Sequence, residues 1–235
     1  SGAGLPFSED LRKEFLRDHG YELDGERLLS LCLTRPDSPE VRFDYWHTVS
    51  RLFNESFMRP MADWCEANKL IFTGHLMEHD WPEPRQTPDN MANLRWMHAP
   101  GEDLLGFQFS PTKLADNDLY LMNLKELASV KAQLGRHWSM VETTGARGYH
   151  TAFAHFKPCE DFTLAFGVNL IDPHLAHQTL CGSGKYDWPQ TLSDHSPWWQ
   201  YYGTHARHIA RVNAVMSQGR EQNRILVLMP TTTGW

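Results

Sequence analysis

Several features are missing from this sequence, and each absence narrows what the chain can be. No run approaches the roughly 18 apolar residues that a membrane-spanning helix needs, so no membrane partner is expected. Basic residues are in the minority. Lys and Arg number 22 against 29 Asp and Glu, a net charge of −7, so bulk electrostatics give no support to a nucleic-acid partner. A neutral or cationic ligand fits at least as well. The four cysteines, Cys32, Cys65, Cys159 and Cys181, form no CxxC pair and read as free buried thiols. Neither GxGxxG nor GxxxxGK[ST] follows any strand-like run, and Gly182-Ser183-Gly184-Lys185 opens no helix, so a nucleotide cofactor is not expected. The start, Ser1-Gly2-Ala3-Gly4, shows no basic region followed by an apolar stretch. The compartment stays open between secreted or periplasmic and cytoplasmic.

What the chain has in quantity is aromatic residues: nine Trp, seven Tyr and twelve Phe. Trp81 and Trp188 sit in loop-like sequence, where an indole either stacks on a sugar ring or fills a core. Trp46 and Trp64 lie within a helical pattern and are expected in the core.

The order of elements is informative. Residues 8–19 predict a helix capped by Ser8 and closed by Gly20. Ser38-Pro39-Glu40 predicts a helix start with Ser38 as N-cap, running toward Asn68 with a kink at Pro60. Apolar, β-rich runs predict strands over 70–77, 104–109, 138–143, 168–172 and 225–229. Helices are expected over 118–134, over 149–166 with a break near Pro158, and over 196–217. Strand and helix thus alternate four times, which is the pattern of a parallel sheet covered by helices. The first four strands are expected as parallel neighbours in sequence order. On this pattern alone, a doubly wound sheet and a closed barrel both remain open.

In parallel α/β folds ligands meet the carboxyl ends of strands. Those ends, and the loop before the second strand, are rich in ionisable groups: His75 and Glu78, then His98 and Glu102, then Glu142, then Asp172 and His174 with His177 beyond. Glu142 directly follows the apolar Ser139-Met140-Val141, so partial desolvation is expected to raise its pKa. Two carboxylates across a mouth are what glycosidic cleavage requires. Glu142 and Glu78 are therefore the candidate catalytic pair. His75, His98, Glu102, His174, Trp81 and Trp188 are the candidate substrate-binding residues. Which carboxylate is acid and which is base or nucleophile stays open. His75-Leu76-Met77-Glu78-His79 also matches the zinc-peptidase spacing HxxEH, which requires a helix. Gly74 and Pro82 leave no room for one.

Several stretches resemble the family 106 α-L-rhamnosidase-type glycoside hydrolases and their relatives. They are VRFDYW (41–46), DWCEANKLIFTGH (63–75), MHAPGEDLL (97–105), VETTGARG (141–148), HSPWWQYY (195–202), SQGR (217–220) and ILVLMPTTT (225–233). The resemblance implies a (β/α)₈ TIM barrel, of which this chain is the C-terminal half over 1–219, with 220–235 as the first strand of a following domain. It implies carboxylate chemistry on a glycoside, α-L-rhamnoside among the candidates, and leaves room for a calcium ion in the sugar site. The Asp-Glu-Pro type strand end that the family carries upstream is absent here. A half-barrel fragment, completed by self-association or by a missing half, is therefore expected. A non-catalytic carbohydrate-binding or structural role is the alternative.

Overall fold

Ser8 opens the first helix, α1 (Glu9–His19), by accepting a hydrogen bond from the Leu11 amide, and Gly20 closes it at φ 75°. The architecture is that of a computed structural model describing residues 4–76, 84, 87–104, 109–110, 118–186, 188, 190–219 and 221–235. The second helix is α2 (Gly25–Cys32), and the third is α3 (Ser38–Phe53). Together they enclose a small core of Leu11, Phe15, Leu23, Val41, Tyr45 and Trp46.

Ser38 is not the cap that the sequence suggests. Its hydroxyl donates to the Leu33 carbonyl and accepts from the Arg35 amide, so it fastens the preceding turn instead. Ahead of Pro60 the regular α-helix is interrupted. A π-helical turn over Asn54–Met58 leads directly into α4 (Arg59–Ala67). Such a turn widens the spiral where a proline can neither donate nor tolerate the carbonyl four residues back. The extra residue also rotates the following helix face. Trp64 consequently leaves the core side and is 58% exposed, contrary to the core position expected for it, whereas Trp46 is buried.

The rest of the described chain alternates helix and strand. α5 (Asn90–Leu94) precedes β1 (Gly101–Leu104), and α6 (Asp118–Gln133) precedes β2 (Met140–Thr143). α7 (Phe153–Ala165) passes through Pro158 without a break and precedes β3 (Leu170–Pro173). Short 3₁₀ turns at Gly182–Tyr186 and Trp199–Tyr201 lead to α8 (Tyr202–Met216). α8 is held to α7 by a buried hydrogen bond between His205 Nε2 and Glu160 Oε2 (2.9 Å).

The three strands are parallel and ordered β1-β2-β3, as the alternation requires. The closed eightfold barrel expected from the resemblance, and the half-barrel with it, is not formed. A barrel needs every strand hydrogen-bonded on both sides with a consistent shear. Among the described residues the sheet has three strands, and the 70–76 segment adds only one parallel bridge, Thr73 to Ala99. The strand expected at 225–229 is also absent. Ile225, Leu226, Val227 and Leu228 are each more than 80% exposed and belong to no strand. An apolar run alone does not make a strand without an edge to pair with.

The main core lies between the sheet and its helices. Leu104 and Val141 from the strands meet Leu124, Leu127 and Val130 of α6, with Cys159 of α7 and Val168. All four cysteines are free. Cys65 and Cys159 are buried as expected, whereas Cys32 and Cys181 are exposed.

Candidate active site

Side chains alternate across a strand, so the core-facing residues determine what occupies the other face. Leu104 and Val141 belong to the helix-side core, and Ile171 packs against it. Asp103, Glu142 and Asp172 therefore stand on the opposite face. The register places them in one row: Asp103 pairs with Glu142, and Glu142 pairs with Asp172. Three carboxyl groups on adjacent parallel strands, whose spacing is about 4.8 Å, form a line of negative charge. Moving one strand by a single residue would send its carboxylate to the helix side.

Two histidines join this row. His75 follows the Thr73–Ala99 bridge by two residues and so shares its face. Its approach depends on a glycine. A Cβ at Gly101 would lie 2.3 Å from the Gly74 carbonyl oxygen, so only glycine lets the 74–75 backbone come this near β1. His75 Nε2 meets Glu142 Oε2 at 2.7 Å, and its Nδ1 lies 2.8 Å from the Leu76 carbonyl. Both ring nitrogens thus face acceptors, which suits the imidazolium. The bond to Glu142 raises the His75 pKa to about 9, against the opposing effect of burial and with help from Leu76 and Asp103. Reciprocally, the His75 bond holds Glu142 below the usual carboxylate range. The sequence pointed to a raised value from desolvation. The structure differs because a charge-assisted hydrogen bond outweighs the partial burial. His174, two residues beyond Asp172, brings Nε2 to 3.8 Å from the other oxygen of Glu142. Asp172 is shifted upward by its own desolvation first and by the negative charge of Glu142 second. The site thus pairs an ionised carboxylate with a neighbour that holds its proton longer.

His75, Asp103 and Glu142 each offer a ligand atom within 4.8 Å of the others. The two carboxylates suit calcium, but the imidazole nitrogen does not, because calcium takes oxygen donors. One nitrogen and two oxygens fit a borderline divalent ion such as manganese or zinc better. The donor set therefore does not match the calcium ion that the resemblance leaves room for.

Glu102 lies elsewhere. It is on the helix side of β1, 1% exposed, and accepts from Asn90 Nδ2 at 2.6 Å. The same amide nitrogen donates to Glu126 at 2.9 Å. The second Glu102 oxygen has no hydrogen-bond partner, and burial pushes the carboxyl up to about 8. At neutral pH it is mostly protonated. His98 also stands apart from the carboxylate row. Its Nδ1 accepts from the Phe72 amide at 2.9 Å and ties the 70–76 segment to the approach to β1.

Glu78 and Trp81 lie outside the described residues. Trp188 lines a cavity at the loops that leave β2 and β3 and is 54% exposed. The zinc-peptidase alternative finds no helix at His75, which sits in irregular chain. The structure therefore groups His75, Glu142 and His174 in one site and places Glu102 and His98 away from it. It adds Asp103 and Asp172, which the candidate set omits. Their signal was the strand register.

The fold and site thus define an α/β chain whose parallel strands carry acids and imidazoles on the face away from the helix-side core. A rhamnosidase from Novosphingobium sp. PP1Y has a similar solved structure, with a TM-score of 0.67 at 20% identity over 91% of this chain. That likeness is one of fold. The match spans 21% of the rhamnosidase chain. No protein-family model matches the sequence, and no curated protein matches it.

Proposed function

We propose that this chain carries an acid/base site for cleaving glycosidic bonds, with α-L-rhamnosides as the first substrate class to test. The observation that carries the reading is the in-register row of Asp103, Glu142 and Asp172, with His75 ion-paired to its centre. Glycoside hydrolysis needs one carboxylate ionised and a second carboxyl group protonated. Glu142, held ionised by His75, suits the base or nucleophile role. Asp172, whose carboxyl is shifted upward by burial and by the charge beside it, is the candidate for the proton donor. Glu78, three residues beyond His75, is the other candidate for that second role. His174 is the candidate for binding a hydroxyl of the sugar. The likeness to a rhamnosidase structure supports the reading at the level of fold.

The test is cleavage of an aryl α-L-rhamnoside by wild type and by Glu142→Gln, with melting temperatures matched. Loss of a group that carries a proton or attacks the substrate should lower kcat by at least about 100-fold, while the near-isosteric change preserves folding. Undiminished turnover in the folded variant would remove Glu142 from the mechanism. Sugar binding with no turnover in the wild type would leave a non-catalytic carbohydrate-binding role.

A further inference from the structure

His174 directly follows β3, and its amide prolongs the parallel ladder by donating to the Thr143 carbonyl at 2.9 Å. Its imidazole reaches Glu142 at 3.8 Å, which is longer than a hydrogen bond. That contact does not by itself fix the ring. The backbone that carries the ring is held by a separate device, and Gln190 supplies it. The Gln190 side chain is buried, and its Nε2 donates to the Thr144 hydroxyl and to the His174 carbonyl, each at 2.8 Å. The Thr144 hydroxyl donates in turn to the Thr143 carbonyl at 2.6 Å. With the His174 amide, these four bonds close a ring through Thr143, Thr144, Gln190 and His174. Glu142 directly precedes Thr143, so the ring fastens to each other the two segments that carry the contact.

The chemistry of the ring calls for a glutamine. Both acceptors are served by one nitrogen, which has two hydrogens to give. The His174 carbonyl only accepts, so the amide nitrogen must face it and the amide oxygen must point away. That oxygen, Gln190 Oε1, is buried and has no hydrogen-bond partner. An unmade bond of this kind offsets much of what the two made bonds contribute to folding. Stability therefore gives little reason for a glutamine here, whereas the placing of what it touches does. The segment that carries Gln190 is itself held alongside the end of β3. The Leu192 amide donates to the Leu175 carbonyl at 3.0 Å, and the His177 amide to the Thr191 hydroxyl at 3.3 Å. Gln190 thus enters the ring from a fixed base.

We propose that Gln190 is a positioning residue for this site: by tying the His174 carbonyl to Thr144, it sets the His174 imidazole against the Glu142 oxygen that His75 does not bind. His75 takes Oε2 and His174 approaches Oε1, so the two rings flank one carboxylate. A sugar hydroxyl that meets His174 is then delivered beside Glu142. Release of the clamp leaves both side chains present and loses their alignment. The substrate must order the ring itself, and the cost of that ordering shows first in binding. This inference rests on the carbohydrate-cleaving reading for its substrate and on the hydrogen-bonded ring for its residue.

The experiment compares the whole chain as wild type, Gln190→Met, His174→Ala and the double variant. Methionine keeps the length of the side chain and offers no donor; Gln190→Leu takes its place if the methionine variant does not fold. The first readout is the nuclear Overhauser contact between the His174 ring protons and the Glu142 side chain, which needs neither substrate nor turnover. It should be present in wild type and lost in folded Gln190→Met. The second is the kinetics on an aryl α-L-rhamnoside. KM should rise about 10-fold in Gln190→Met with kcat less affected, which is the loss expected of one well-placed hydrogen bond. In the His174→Ala background the same substitution should leave KM unchanged, because the side chain that Gln190 places is gone. A residue that only supports the fold would lower the melting temperature, leave the contact in place and act equally in both backgrounds. An intact contact in folded Gln190→Met, or a KM effect of equal size with and without His174, would overturn the positioning role. Absence of turnover in wild type would remove the cleavage reading, and the contact between His174 and Glu142 would still decide the role of Gln190.

Discussion

Replacing Glu102 with Gln should make the protein more stable at pH 8 than the wild type, and no more stable at pH 5. Glu102 is 1% exposed, one of its oxygens has no partner, and its pKa in the folded protein is about 8 against an ordinary 4.5. Because the folded value is the higher one, the folded state binds the proton more tightly. Stability therefore falls as pH rises between about 4.5 and 8, and is constant outside that window. Each pKa unit corresponds to about 1.4 kcal/mol, so the full window costs at most roughly 5 kcal/mol, and the part below pH 7 about 3 kcal/mol. A glutamine keeps an oxygen that can accept from Asn90 and never ionises. Denaturant unfolding at pH 5, 6, 7 and 8 measures the difference between the two proteins. The gap should open steadily in favour of Glu102→Gln by about 2–4 kcal/mol across that range. Stability curves that run parallel from pH 5 to 8 would refute the assignment, because Glu102 would then not be titrating in that interval.

Gly101→Ala should destabilise the chain by about 1–3 kcal/mol and weaken the His75–Glu142 contact, since the new methyl collides with a backbone carbonyl that cannot move aside cheaply. Denaturant unfolding and the histidine NMR signal would show both effects, and a neutral substitution would mean that the 74–75 segment is not held against β1. His75→Ala should let the Glu142 pKa rise, so the acid limb of the pH–rate profile should move to higher pH; an unmoved limb would separate the two residues. Titration with manganese, zinc and calcium should give tighter binding of the first two, reflecting the His75 nitrogen among the donors, and loss of that selectivity in His75→Ala. Preference for calcium would instead place the cation on carboxylates alone.

Much of this was legible in the residues. The helix caps at Ser8 and Gly20, the parallel alternation and the placing of Glu142 and His75 near one another follow from local chemistry. The choice of Glu102 over Asp103 shows where local chemistry stops. The second strand was expected over 104–109, whereas β1 is Gly101–Leu104, so the two acids read as loop when they are strand. Within a strand, adjacent residues point to opposite faces. One of two neighbouring acids therefore joins the site, and the other is buried beneath α5 and α6 with Asn90 and Glu126. Composition cannot distinguish them; the register with Glu142 can. Trp64 teaches the same lesson for helices. The periodicity of α3 assigned it to the core, but the π turn ahead of Pro60 shifted the phase before the pattern reached it. The barrel expectation came from the resemblance, because alternation alone does not count strands.

The row of Asp103, Glu142 and Asp172 also bears on how the site comes into being. Each acid is donated by a different strand–helix unit, and none is brought to its neighbour by local structure. Pairings of this kind close long loops and form slowly compared with helices. A folding intermediate with every helix in place could still have no site at all. The His75–Glu142 ion pair would then be a late event in refolding, and its appearance would time the completion of the sheet.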